Sequence, residues 1–458
     1  MNQKSSSNTL NRRDFLKIAG SAAFIAAGAS VAPQALRRVL RPEAVAEAQN
    51  LPYDLYYAGT DGWISLPTSP AIPPYHPDNL APAPFTTYIF GFRNVSGLTD
   101  AQKNDQKNKA QHSAPLFWVN QFDPNNPVDF RMQLTNLGLA LRPDLFDAHT
   151  MHWHGFRNVI PFFDGEPSGS VSVPTGRNFT YIYRPREEGT YMFHCHVEDV
   201  EHVHMGMTGL VFVRPLQNGN TALYPSGKYA YNDGNGTTGY DREFAMFLSE
   251  VWAESHWADA HIQLPEWSDY KADFALLNGR VYPDTLAPNS PINAAQSLHA
   301  LALQTDATGD LVPTPGYEHL QYQPHSSLIT CQPGERVLLR FANLGFKESA
   351  ITLAGIQMRV IGRDATLLRG RDGTPTSYET DTIAISAGES YDVVFTAPPF
   401  SGGAGSSGSG YDSYLLYNRA YTRSNNLAAG GFGGQTTEIH VYPGGVLNAQ
   451  QYPNDWGI

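Results

Sequence analysis

The chain has 458 residues, of which 16% are charged, and it contains 41 glycines, 33 prolines and 24 tyrosines. This length exceeds an ordinary single domain, and the many turn-forming residues favour short strands over long helices. The formal net charge of −12 excludes a protein that binds nucleic acid through a basic surface.

The N-terminus has the features of a targeting segment. Arg12 and Arg13 stand before Phe15-Leu16-Lys17, and the apolar run Ile18–Ala32, rich in Ala and Gly, follows. Paired arginines in this setting resemble a bacterial twin-arginine signal, and the run is too short for a membrane anchor. We therefore expect residues 1–48 to be a removable signal that exports the chain to the periplasm or the cell exterior. After cleavage we expect no stable membrane insertion.

Residues 49–215 have the pattern of a first β-sandwich. Few periodic elements are evident over Leu51–His112. Strand-like runs separated by turn residues then follow at Leu116–Asn120, Val128–Leu134, Phe179–Tyr183, Tyr191–His194 and Leu210–Val213. Residues 216–241, which are rich in Gly, Asn, Thr and Tyr, break this pattern and are interpreted as an interdomain linker.

Residues 242–458 show the same pattern of short strand-like runs as the first half. The runs that suit strands are Phe244–Leu248, Arg336–Ala342, Ile351–Leu353, Met358–Ile361, Thr382–Ile385, Tyr391–Thr396, Ser413–Tyr417 and Thr437–Val441. The sequence therefore predicts an all-β fold of two successive sandwiches.

Two short segments concentrate metal-binding side chains. The first is His149-Thr150-Met151-His152-Trp153-His154, and the second begins His194-Cys195-His196. In an extended strand residues i and i+2 share a face, so the two histidines of each His-x-His pair point the same way. Cys195 must then point to the opposite face from its neighbours. This alternation predicts two metal centres back to back, joined through the cysteine.

The face of Cys195 predicts a blue-copper site. Such a site takes a thiolate, two imidazoles and a weak axial thioether. His202 and Met207 follow the cysteine in a loop, and His149 can reach in from the other segment.

This pattern resembles the copper signature of the multicopper oxidases, the family of laccases and bilirubin oxidases. In that signature a His stands three residues before a His-x-His pair, and His-Cys-His, a loop His and a Met five residues later follow. The resemblance implies tandem cupredoxin-like Greek-key β-sandwiches. It also implies a type 1 copper ligated by His149, Cys195, His202 and Met207, and a type 2/type 3 copper cluster bound by His152, His154, His194 and His196.

The resemblance extends beyond the ligands over most of the chain. Asp164–Pro167 and Pro174–Tyr181 are similar to the stretch between the histidine motifs of these oxidases. Leu277–Arg280 and Ala387–Val393 are similar to segments of their copper-free second domain.

The ligands in the loop after the cysteine stay open. His204 and Met205 compete with His202 and Met207. The five residues from His202 to Met207 leave room for a turn at Gly206, which favours His202. However, the loop that leads to His202 is two residues longer than the common laccase spacing.

The second copper site is only half supplied by this chain. A complete cluster in the family takes eight histidines, in four His-x-His pairs on two domains. This chain has two such pairs, and none of its histidines beyond residue 215 forms another. Either another subunit completes the cluster in a homo-oligomer, or the second site is smaller.

The resemblance implies a copper-dependent oxidase. A small reducing substrate, phenolic or a low-valent metal ion, would give single electrons to the type 1 copper. Cys195, His194 and His196 would then carry them to the histidine-bound copper, where dioxygen is reduced. One alternative is a non-enzymatic blue-copper carrier or copper-storage protein. Another is a copper nitrite reductase, although that family carries His-Cys-Ala where His196 stands here.

Other candidate residues have simpler interpretations. His256 and His261 are expected on the surface of a short helix or loop, and Cys331 is expected to be a lone thiol. His204 suits a solvated loop residue as well as a ligand. The acidic run Glu198–Glu201 is expected to be solvated, with steering of a cationic reductant as its functional alternative.

Overall fold

Twenty β-strands and three short α-helices build the part of the chain that the computed structural model describes, residues 54–157, 159–293, 299–402, 410–427 and 430–458. The predicted all-β fold is confirmed, and each predicted strand has a counterpart. The predicted signal, residues 1–48, lies outside the described residues. In the described residues no helix is both long and apolar enough to cross a bilayer.

The first sandwich consists of two four-stranded sheets, with orders β2-β1-β4-β6 and β3-β8-β7-β5. Its strands are β1 (Leu55–Ile64), β2 (Thr87–Asn94), β3 (Phe117–Asn120), β4 (Phe130–Gly138), β5 (His152–His154), β6 (Asn178–Tyr183), β7 (Gly189–His194) and β8 (Thr208–Arg214). Alternate residues of β4 are buried, and they join an aromatic core that includes Phe117, Trp153 and Phe193. Burial of this apolar surface holds the two sheets face to face.

Two long strands lie where the sequence showed few periodic elements. The strand β1 is buried at nine of its ten positions, and β2 at seven of eight. A strand that is buried on both faces does not alternate between apolar and polar residues, so periodicity cannot reveal it.

Three helices interrupt the strands: α1 (Asp100–Asn104), α2 (Asp199–Met205) and α3 (Ala253–Ala260). The helix α2 replaces the loop that we expected after the cysteine. Acidic residues in its first turn favour the positive end of the helix dipole. The helix ends at Met205, and the next residue, Gly206, has a φ of +120° and a position where a Cβ atom would lie 2.5 Å from Nδ1 of His112. Only glycine fits there.

The second sandwich packs a seven-stranded sheet, β10-β9-β12-β18-β14-β15 with β16 beside β14, on a five-stranded sheet, β11-β20-β19-β13-β17. Its strands are β9 (Arg242–Val251), β10 (Phe274–Leu277), β11 (Ile329–Cys331), β12 (Arg336–Asn343), β13 (Ser349–Leu353), β14 (Met358–Arg363), β15 (Thr366–Leu367), β16 (Tyr378–Thr380), β17 (Thr382–Ile385), β18 (Ser390–Thr396), β19 (Asp412–Asn418) and β20 (Thr436–Val441). Aliphatic and aromatic side chains fill the space between the two sheets.

The two sandwiches meet along β7 and β18. The hydroxyl of Thr190 donates to Asp392 at 2.5 Å, and the hydroxyl of Ser390 donates to the Thr190 carbonyl at 2.7 Å. Tyr231, from the segment between the sandwiches, also donates to Asp392 at 2.5 Å. This buried polar contact fixes β7, the strand that ends at the predicted metal ligands, against the second sandwich.

Candidate metal centre

Strand pairing places His194 and Cys195 on opposite sides of one sheet. In the antiparallel pair of β5 with β7, His152 stands opposite His194. The backbone N–H of Cys195 donates to the Met207 carbonyl at 3.0 Å, so the extended backbone continues past the last residue of β7. Successive side chains of such a strand alternate between faces, which separates the sulfur from the neighbouring imidazole.

The sulfur side brings together three of the predicted ligands. The distance from Cys195 Sγ to His202 Nδ1 is 3.2 Å, and that to His149 Nδ1 is 3.9 Å. All three side chains are buried, and their ligand atoms lie within 4.8 Å of one another. The backbone N–H of Thr150 donates to the sulfur at 3.4 Å. We call Cys195, His149, His202 and Met207 the sulfur site.

Met207 reaches the sulfur site past a glycine that the sequence pattern did not single out. A Cβ atom on Gly59, in β1, would lie 2.7 Å from Cδ2 of His149 and 3.2 Å from the terminal methyl of Met207. The absence of a side chain on Gly59 therefore makes room for both ligands. A glycine inside a buried strand indicates that another group approaches the backbone closely, but the sequence does not identify that group.

The structure separates His202 from its competitor His204. His202 is fully buried at the sulfur site, with Nε2 lying 3.7 Å from Oδ2 of Asp147. His204 is 4% exposed; its Nε2 accepts a hydrogen bond from the Trp252 backbone at 3.1 Å, and its ring contacts that of His256. The interpretation of His204 as a solvated loop residue is wrong, because the helix turns its ring into a buried aromatic cluster.

The sulfur site favours a thiolate. Burial by itself would raise the pKa of Cys195, but the His202 and His149 imidazoles beside the sulfur hold that pKa well below its usual range. Burial likewise opposes the charged form of His202, and the sulfur and Asp147 outweigh it, raising the pKa of His202 to about 10. A thiolate is the form of cysteine that binds metals, so the sulfur is prepared for a cation.

The opposite side of the strand gathers four imidazoles, which we call the imidazole site. Its members are His152, His154, His194 and His196. The ring centroids of neighbouring members lie 5.0 to 6.0 Å apart. One member is buried and three are half-buried, so the site opens toward the protein surface.

Backbone carbonyls fix the tautomer of two of these imidazoles. Nδ1 of His152 lies 2.8 Å from the Asp164 carbonyl, and Nδ1 of His194 lies 2.8 Å from the Cys195 carbonyl. A carbonyl only accepts, so each Nδ1 carries the proton and each Nε2 keeps a free lone pair. Burial lowers the pKa of His194 to about 3 and also lowers the pKa values of His152 and His154. Neutral imidazole is the metal-binding form.

One turn of the second sandwich also touches the imidazole site. A Cβ atom on Gly388 would lie 3.2 Å from Nε2 of His154, and φ of this glycine is +80°. Gly388 belongs to the Ala387–Val393 segment whose similarity to the copper-free domain was noted in the sequence. The second sandwich therefore shapes the site without contributing a histidine to it.

The histidines beyond residue 215 lie away from both sites. His256 is 1% exposed and donates from Nδ1 to the Tyr88 carbonyl at 2.6 Å, so the expectation of a surface position is wrong. His261 is half-buried at the end of α3, where Nε2 lies 3.0 Å from Asp78. Cys331 is a buried free thiol, as expected for a lone cysteine.

The donor sets suit copper. A thiolate with two imidazoles and a nearby thioether is the soft and mixed set that copper takes in blue-copper proteins, and clustered neutral imidazoles also bind copper ions. The sulfur site is buried, and the ligand atoms of His149, Cys195 and His202 lie within 4.8 Å of one another. Within the described residues, the sequence-predicted ligands thus assemble into two groups that could each hold metal, on opposite sides of one strand.

Both halves of the chain match one known protein family. Two family models, each described as "Multicopper oxidase", match residues 101–218 and 268–403. A laccase from Oryza sativa subsp. japonica ("Laccase-3") is 24% identical over 54% of this chain and 34% of its own length. An L-ascorbate oxidase from Brassica rapa subsp. pekinensis is 25% identical over 54% of this chain and 37% of its own length. The chain thus matches little more than a third of these relatives' length.

A solved structure supports the fold. The blue copper oxidase from Nitrosomonas europaea superposes with a TM-score of 0.51 at 18% identity, covering 84% of this chain and 85% of the other. At that identity the likeness concerns the arrangement of the sandwiches alone.

Proposed function

Because this chain belongs to the multicopper oxidase family, we propose that it is a copper-dependent oxidase that takes single electrons from a small reducing substrate and passes them to dioxygen. The observation that carries the proposal is the pair of metal-binding groups on opposite sides of one strand, joined by His194, Cys195 and His196. Copper, when bound, supplies the one-electron redox chemistry and the reduction of dioxygen.

We assign a type 1 copper to the sulfur site, held by His149, Cys195, His202 and Met207. The four members of the imidazole site would hold type 2/type 3 copper. Burial of the cysteine excludes water from its sulfur, and Asp147 orients His202 so that Nδ1 faces that sulfur. At the imidazole site the Asp164 and Cys195 carbonyls accept hydrogen bonds from Nδ1 of His152 and His194, which leaves Nε2 of each imidazole for the metal.

Electron passage between the two groups depends on covalent bonds rather than on contact. The sulfur of Cys195 and the imidazole of His194 belong to adjacent residues, and the Cys195 carbonyl accepts a 2.8 Å hydrogen bond from that same imidazole. This route crosses no solvent, since Cys195 is fully buried and His194 is 6% exposed.

We further propose that a second copy of the chain meets the imidazole site. Its half-buried histidines face the surface, and the nearby loop that supplies the Asp164 carbonyl exposes Ile160 by 56% and Phe162 by 51%. Large exposed apolar side chains beside an open polar site are typical of an interface. Two copies would together supply eight imidazoles.

The interface is tested by sedimentation of copper-loaded and copper-free protein. We expect a dimer or larger oligomer that requires copper and is lost in Phe162→Ser and His154→Ala. Leu264→Ser is the matched control, because Leu264 is 88% exposed and lies on a different segment. A copper-loaded monomer that binds all its copper would contradict this part of the proposal.

Copper content decides between the oxidase and a carrier. We expect a type 1 signal in electron paramagnetic resonance, further copper beyond one per chain, and oxygen uptake with a phenolic donor or a low-valent metal ion. One copper per chain with no oxygen uptake would favour the non-enzymatic carrier. That alternative is also favoured by the sequence, which supplies only half of the histidines of a complete cluster. Nitrite turnover without oxygen uptake would favour the reductase.

We also propose export by the twin-arginine route, from the paired Arg12 and Arg13. Fusion of residues 1–48 to a reporter that folds before export is the test. The expected result is export that stops when both arginines are replaced by lysine; export that continues in that variant would contradict it.

A further inference from the structure

A cavity of about 690 Å³ opens on the second sandwich, and none of the candidate copper ligands lines it. Its walls come from Asn235–Thr237, from the turn into β14 and from the end of β18. This volume lies within the range of small-molecule sites. The cavity therefore has room for a ligand unrelated to the copper chemistry.

Two arginines converge in this cavity. One Nη atom of Arg336 and one of Arg359 donate to the same backbone carbonyl, that of Thr237. The other Nη atom of Arg336 donates to the Gly236 carbonyl at 3.3 Å. Sharing one acceptor holds the two guanidinium groups within a few ångströms of each other.

Among the described residues neither guanidinium has a carboxylate within 4.0 Å, and the Asp233 and Asp241 carboxylates act on Arg336 only from farther away. The buried Arg340, in contrast, forms ion pairs with Glu243 and Asp392. Two like charges this close repel each other, so an anion between them would be stabilising. Each guanidinium has five N–H donors, and most donors of the pair are left for a further acceptor. Glu379 also lines the cavity and stands opposite Arg359 in the sheet, but it is exposed and makes no ion pair within 4.0 Å.

The segment that presents the carbonyls is held in place before any ligand arrives. The Asp233 carboxylate accepts hydrogen bonds from the backbone N–H groups of Asn235, Gly236 and Thr238, at 2.5 to 3.0 Å. The guanidinium of Arg336 also stacks over the Tyr224 ring at 5.0 Å. A preorganised pair of guanidinium groups loses little entropy on binding an anion.

Val394, which stands opposite Arg359 in the sheet and shares its face, and the half-buried Pro398 supply apolar side chains to the remaining wall. We propose that this cavity binds a small organic carboxylate with an apolar body. Its carboxylate takes the free donors of Arg336 and Arg359, in the bidentate manner that guanidinium favours, and its body packs on the apolar wall. This site is independent of the copper sites and of the proposed oxidase activity.

The test is titration of the copper-loaded, full-length protein with benzoate and, separately, with inorganic phosphate. By calorimetry we expect benzoate to bind saturably, one per chain, and more tightly than phosphate, because phosphate has no apolar body. Arg359→Gln should weaken benzoate binding about tenfold or more, the effect of losing a hydrogen bond between charged groups. Arg336→Lys, which keeps the charge but not the fork, should weaken it as well.

Two further variants control the result. Arg419→Gln removes the same charge from an exposed position outside the cavity and should leave binding unchanged. Glu379→Gln removes the competing carboxylate and should tighten binding. The proposal is overturned if the wild type does not saturate with benzoate, if Arg359→Gln and Arg419→Gln behave alike, or if only Glu379→Gln binds. Equal affinity for phosphate would overturn the assignment of an apolar body.

Discussion

Single residues decide the sulfur site, and Cys195 is the clearest test. Replacing its sulfur by oxygen keeps the size of the side chain but removes the soft ligand that a blue copper needs. We expect Cys195→Ser to lose the intense blue absorption and the type 1 signal, while the imidazole site keeps its copper. Cys331→Ser, at the buried thiol of the second sandwich, should stay blue. A Cys195→Ser protein that remained blue would refute the ligand assignment.

Gly59 gives a second prediction for the sulfur site. A methyl group there would lie 2.7 Å from the His149 ring, so that ring or the strand must shift. Overpacking of this kind costs about 1–3 kcal/mol. We expect Gly59→Ala to lower the midpoint of thermal unfolding and to shift the blue absorption band. Gly444→Ala, where a Cβ atom would meet nothing within 4 Å, should change neither property.

The clustering of the candidate ligands could be predicted from the sequence at this scale, but the residues that support them could not. His-x-His and His-Cys-His are local patterns, because strand alternation alone sorts their side chains. Gly59, Asp147 and Gly388 come from distant parts of the chain, and only the fold brings them to His149, His202 and His154. The spacing of residues within a short segment does not predict such long-range contacts.

At the level of elements, the helix α2 decides between the two candidate histidines. Successive residues of a helix are rotated by about 100°, so residues two apart point to nearly opposite sides. His202 therefore faces Cys195, and His204 faces His256. From its sequence this segment is expected to be a loop, in which no such separation of the two histidines follows. The short length of α2 and its polar residues gave no helical periodicity to detect.

Asp147 and α2 together lead to a prediction about the redox potential. The carboxylate lies 3.7 Å from His202 Nε2, and its negative charge stabilises the more positive, oxidised metal. We expect Asp147→Asn to raise the reduction potential of copper bound at the sulfur site by on the order of 60 mV, equivalent to ~1.4 kcal/mol for one electron. Redox titration of the blue band measures it. Asp144→Asn, whose carboxylate pairs with Arg142, should move the potential much less.

Over the whole molecule, buried neutral histidines make stability depend on pH. Burial lowers the pKa values of His112, His194 and His325 to about 3 and that of His256 to about 4, from an ordinary 6.5. Between these values the unfolded chain binds more protons than the folded one, so stability rises with pH. Copper-free protein should therefore lose stability as the pH falls from about 6.5 toward 3, at up to ~1.4 kcal/mol per pH unit for each histidine.

Denaturant titrations of the copper-free protein at several pH values would measure this loss. His325→Gln should reduce the slope between pH 6.5 and 4, because it removes one of these buried imidazoles. A stability that stayed flat across this interval would contradict the buried, neutral state of these imidazoles.

The tandem arrangement of sandwiches could be predicted from turn residues and strand-like runs, but the tight packing between the sandwiches could not. The Thr190 contact to Asp392 joins residues about 200 positions apart in the chain, so nothing in the neighbourhood of either residue indicates it. The strands β1 and β2 escaped notice for a related reason, because burial on both faces removes the alternation that marks a strand.

The adjacency of His194, Cys195 and His196 has a consequence for how this segment can change over time. Inserting or deleting one residue next to the cysteine would swap which side each later side chain occupies, so an imidazole would enter the proposed blue centre and the imidazole site would lose a donor. Because both sites share this strand, a further shift that restored the ligands of one site would displace those of the other. Length variation should therefore be absent from this tripeptide, and a functional variant with one residue added there would argue against the shared strand.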